Sequence, residues 1–94
     1  MDVRLVEIDG KKCYLFLFDT KQKMMLLLTG IRRYARTLNG NLLKQEIIRD
    51  VDLLERQTDK SISAGLYEIG GVLPETAGTA LLQALFMSAA MENL

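Results

Sequence analysis

The chain has 94 residues, 49% of them hydrophobic, with 12 basic and 12 acidic side chains and therefore no net charge. That size fits one domain spanning 1–94, and that apolar content excludes a disordered tail. Zero net charge removes any overall field toward nucleic acid or an anionic membrane, while a lone cysteine and no histidine exclude zinc centres, iron–sulfur centres and His-based nucleophile systems of the usual kind.

In chain order, Asp2–Ile8 alternates and is β-prone, and Lys12–Phe18 follows across Asp9-Gly10. An Asp-Gly pair between two apolar runs predicts a tight hairpin, because both turn positions favour positive φ. With Asp9-Gly10 central, Ile8 faces Lys11, Glu7 faces Lys12 and Val6 faces Cys13. One face then carries Val3, Leu5, Tyr14, Phe16 and Phe18, and the other Val6, Ile8, Cys13, Leu15 and Leu17. A hairpin apolar on both faces needs cover beyond what it supplies itself.

Asp19 or Thr20 can cap a helix over about 20–38, with Met24, Leu27, Leu28, Ile31, Tyr34, Ala35 and Leu38 at helical spacing. A rival reading makes Lys23–Leu28 a third strand and starts the helix at Ile31. Met25 and Leu26 fall off the apolar stripe and add to an exposed patch. Asn41 can cap a second helix over about 42–58, with Leu43, Ile47, Val51 and Leu54 inward and a charged outer face. A short helix over about 62–69 precedes Gly70-Gly71. A last helix then runs over about 74–92, with Pro74 at its first position and Glu75 at the positive end of its dipole. The expected fold is α+β: an N-terminal β-hairpin followed by three to four helices, the apolar C-terminal helix central.

Charge is divided unevenly. Residues 1–60 hold all 12 basic side chains and 9 acidic ones, whereas residues 61–94 hold only Glu68, Glu75 and Glu92. A surface helix ordinarily carries a charged face. An uncharged run from Thr76 to Met91 is therefore either buried in its own domain or covered by another chain. On this reading Phe16, Leu17, Leu81, Leu85 and Phe86 are the candidate self-association residues. The run is shorter than the roughly 20 residues a membrane span needs.

Arg32, Arg33 and Arg36 share one side of the first helix, with Tyr34 between them in sequence. Three guanidinium groups on one face suit an acidic protein surface or phosphates. Gly70-Gly71 lacks phosphate-loop spacing and reads as a turn. Cys13, mid-strand, reads as a small core side chain. Catalytic residues, cofactors and metal ligands are not expected.

The Ile8-Asp9-Gly10-Lys11 hairpin followed by helices resembles small phage tail-assembly chaperones over roughly the first 20 residues. The resemblance implies a phage or bacterial accessory protein. The expected function is a non-catalytic protein–protein interaction module (an adaptor, assembly chaperone or inhibitor), cytoplasmic and homo-oligomeric. The alternative is a nucleic-acid-binding regulator using Arg32, Arg33 and Arg36.

Overall fold

The chain reverses at Asp9-Gly10, where φ is 52° and 78°. Positive φ at both central positions matches the right-handed twist of the flanking strands. It lays β1 (Asp2–Ile8) antiparallel to β2 (Lys11–Phe18), with Ile8 opposite Lys11, Glu7 opposite Lys12 and Val6 opposite Cys13, as the Asp-Gly reading requires. The computed structural model describes residues 2–63 and 69–92. After the hairpin come α1 (Lys21–Arg36), α2 (Asn41–Ser63), β3 (Ile69–Pro74) and α3 (Glu75–Glu92). The described residues thus form an α+β fold with three helices and a three-stranded antiparallel sheet in the order β1-β2-β3.

Lys23–Leu28 lies inside α1, as the helix expected over about 20–38 requires, and the rival reading of it as a strand does not hold. The third strand is Ile69–Pro74, which the sequence reading did not anticipate. The helix expected over 62–69 falls mostly outside the described residues, but Ile69 belongs to β3 and 61–63 to α2. Gly70-Gly71 reads locally as a turn and Pro74 as a helix start, yet all three lie in the strand. β3 pairs with β2, with Phe16 opposite Gly71 and Tyr14 opposite Leu73. A Cβ on Gly71 would sit 2.7 Å from Leu54 Cδ1 and 3.1 Å from Gln57 Cβ, and one on Gly70 would strike the Phe16 carbonyl oxygen. The glycines let α2 and β2 approach the β3 backbone closely. Pro74 closes the strand, at its exposed end, rather than opening α3.

The helices start and stop for identifiable reasons. Thr20, with extended φ and ψ of −143° and 158°, accepts the Lys23 N–H on its hydroxyl at 3.1 Å and caps α1. α1 runs unbroken through Thr29-Gly30. α2 begins with Asn41 as its first residue, the Lys44 N–H bonding the Gly40 carbonyl at 3.4 Å, and extends to Ser63, past the expected end near 58. Tertiary contact sustains the extra turn. The Ser61 hydroxyl donates to the carbonyls of Gln57, at 3.2 Å, and Gly70, at 3.3 Å.

Gln57 closes the outer edge of β3. Its Nε2 donates to the Val72 carbonyl at 2.9 Å, and its Oε1 accepts the Val72 N–H at 2.7 Å. The side-chain amide occupies the place a fourth strand would take, so an edge open to foreign pairing is blocked.

The core joins Phe16 and Phe18 of β2 with Leu73 of β3 and residues of every helix. These are Met24, Leu28, Ile31 and Ala35 from α1; Ile47, Val51 and Leu54 from α2; and Leu81, Ala84 and Leu85 from α3. The core is shared among the three helices rather than centred on α3. One side of α3 is buried, while Gln83, Phe86 and Met87 on its other side face outward. On the opposite sheet face, Val6, Leu15, Leu17 and Val72 are half-buried and Cys13 is buried.

Candidate interaction surfaces

The arginine cluster is not one surface. Arg32, its side chain 27% exposed, clasps Asp52 at 2.8 Å and Glu55 at 2.6 Å across the α1–α2 contact. These carboxylates hold its proton more firmly than in an isolated guanidinium, against the opposing effect of burial. Tyr34, half-buried, lines a cavity on a different side. Arg33 and Arg36 are exposed, and neither is ion-paired among the described residues. Helical spacing alone groups the three arginines on one side of α1. It could not reveal that α2 presents two acids to one of them.

The expected self-association residues also divide. Phe16 and Leu81 are fully buried and Leu85 is 9% exposed, so all three pack inside the chain's own core. Leu17 is half-buried on the outer sheet face. Phe86 alone of the five is largely open, at 77% exposure.

Phe86 borders an apolar cavity of about 540 Å³ where α1, α2 and α3 meet. Tyr34, Leu43, Ile47, Leu82 and Met87 line it as well, and none of its lining side chains carries a charge. Leu42 lies next to it in sequence and is 74% exposed. Leu43, expected inward with Ile47, Val51 and Leu54, is 40% exposed: helical spacing gives the stripe but not how far along α2 the packed core reaches.

A second apolar exposure lies on α1, where Met25 and Leu26 stand open as their position off the stripe predicted. Asp50 is different: a carboxyl with 1% exposure whose Oδ2 has no hydrogen-bond partner among the described residues. Arg49 Nε is 3.7 Å from its Oδ1, beyond good hydrogen-bond length. Burial pushes the Asp50 carboxyl above the usual carboxylate range; Arg49 opposes this and Glu46 adds to it.

Among the described residues no group of three or more His, Cys, Asp or Glu side chains is placed to hold a metal ion, and no helix is long and apolar enough to cross a membrane. Comparison with models of protein families, with curated proteins and with solved structures found no match to this chain.

Proposed function

We propose that this chain is a non-catalytic protein–protein interaction module that works as a homo-oligomer, in the manner of a small adaptor, assembly chaperone or inhibitor of a phage or bacterial accessory system. The observation that carries the reading is the uncharged apolar cavity beside Phe86. Leu42, Leu43, Phe86 and Met87 are 74%, 40%, 77% and 45% exposed. A symmetric pair in which these side chains and the cavity walls meet their own copies buries apolar surface on both partners at once. Two identical surfaces without charge meet with no like-charge repulsion, which a self-complementary contact requires.

The lack of histidine and the burial of Cys13 favour interaction over catalysis. A single cysteine, free and buried, suits a reducing cytoplasmic setting. The test is absolute mass by light scattering behind a sizing column, at several concentrations, for the natural chain and Phe86→Glu. The expected result is a dimer or larger assembly that Phe86→Glu reduces to monomer with its melting temperature little changed, since Phe86 contributes little to the core. A monomer at every concentration, or an assembly indifferent to Phe86→Glu, overturns the proposal.

A further inference from the structure

The outer face of α1 carries a different chemistry from the cavity at Phe86. α1 holds five basic side chains (Lys21, Lys23, Arg32, Arg33 and Arg36) and no acidic one. Arg32 is committed to Asp52 and Glu55, and Lys23 has an exposed, solvent-screened pairing with Asp19 at 3.2 Å. Lys21, Arg33 and Arg36 have no ion-pair partner among the described residues. Between the two ends of this row Leu26 is 74% exposed and Met25 50% exposed. A surface concavity of about 430 Å³ runs along the same face, walled by Lys23, Leu26, Thr29, Gly30 and Arg33. Lys21 and Lys23 also stand at the positive end of the helix dipole, where cations are disfavoured and an incoming anion is welcome.

We propose that this face docks an acidic amphipathic helix of another protein. Charge complementarity selects the occupant. A second copy of α1 would set the Lys23 and Arg33 that wall the concavity against the same two cations, with no acid on the helix to answer them, so the face does not pair with itself. Lys23 and Arg33 are ten residues apart, roughly 15 Å along the helix. The matching partner places an apolar side chain in the concavity with acidic residues about that far apart on either side, the helix-in-groove mode of recognition. Phosphates alone leave the exposed Leu26 and Met25 without a role, and a membrane surface suits a convex patch better than this hollow one.

Fluorescence anisotropy decides among these with defined probes: a labelled 16-residue peptide with Leu at i, i+4 and i+7 and Glu between, and the same peptide with Gln for every Glu. A 20-base-pair duplex and vesicles of phosphatidylglycerol serve as competitors. The expected result is binding of the Glu peptide about tenfold or more tighter than the Gln peptide, weakening with added salt. Leu26→Asp and Arg33→Glu are each expected to reduce it about tenfold, with circular dichroism, melting temperature and assembly mass unchanged because both side chains are exposed. Equal binding of the two peptides, indifference to both substitutions, or tighter binding of duplex or vesicles each overturns the proposal. So does a loss of assembly in Leu26→Asp, which would place this face in the self-contact. Because the face is separate from the Phe86 cavity, either reading can fail alone.

Discussion

Replacing Asp50 by Asn isolates the cost of one buried charge. The Asp50 side chain is 1% exposed and its Oδ2 is unpaired among the described residues. A buried polar group without a partner costs about 1–3 kcal/mol, more when charged. The guanidinium of Arg49, 3.7 Å from Oδ1 but itself 66% exposed, offsets only part of that. The buried charge is therefore expected to cost the natural chain about 1–2 kcal/mol at pH 7, enough to hold its melting temperature roughly 5–10 °C lower in a domain of this size. The sign follows from linkage. Burial raises the folded-state pKa of Asp50 above its unfolded value near 3.8. Well below pH 3.8 both states carry the proton and the group costs nothing through ionisation. As pH rises the unfolded chain releases the proton first, and stability is lost until the folded carboxyl also ionises. Asn keeps the shape and cannot titrate, so its own cost is independent of pH. Urea denaturation of both proteins at pH 2.5, 5 and 7 should therefore show Asp50→Asn gaining on the natural chain as pH rises through 3.8, until the folded carboxyl has also ionised. A difference that stays flat with pH, or a natural chain that gains on the variant toward pH 7, would refute the reasoning.

Two further substitutions test the contacts that hold the architecture. Gln57→Ala removes both hydrogen bonds to Val72 and uncovers the β3 edge; it should cost about 2 kcal/mol in urea denaturation and speed amide exchange at Val72 selectively. Arg32→Ala breaks the paired contacts to Asp52 and Glu55 and should cost about 1–2 kcal/mol, a difference that shrinks in 1 M salt, whereas Arg33→Ala should stay within about 0.5 kcal/mol. If Arg33→Ala proved as costly as Arg32→Ala, the division of the arginine cluster would be mistaken.

Local chemistry made several features legible. Asp9-Gly10 dictates the hairpin and its register because few other pairs accept two successive positive φ values. The spacing of Met24, Leu28, Ile31 and Ala35 dictates α1 and its buried stripe, and Thr20 dictates where α1 begins, since its hydroxyl is the nearest acceptor for an otherwise unbonded N–H. The third strand was not legible. Ile69–Pro74 has poor strand propensity, and it becomes a strand only because β2 offers hydrogen bonds on one side and Gln57 on the other, through glycines that admit both.

The same division runs through the surfaces. Sequence alone determined that the last third lacks basic residues, that α1 has cations without acids, and that Met25 and Leu26 fall off the core stripe, because composition and helical period are properties of the chain taken locally. Tertiary structure decided which apolar residues were left over. Phe16, Leu81 and Leu85 are consumed by the shared core, while Phe86, Met87 and the first turn of α2 are not. It also decided that Arg32 would serve α2 and that Asp50 would lose its water. Burial and pairing depend on which distant segments arrive beside a residue, and no local pattern encodes that arrival.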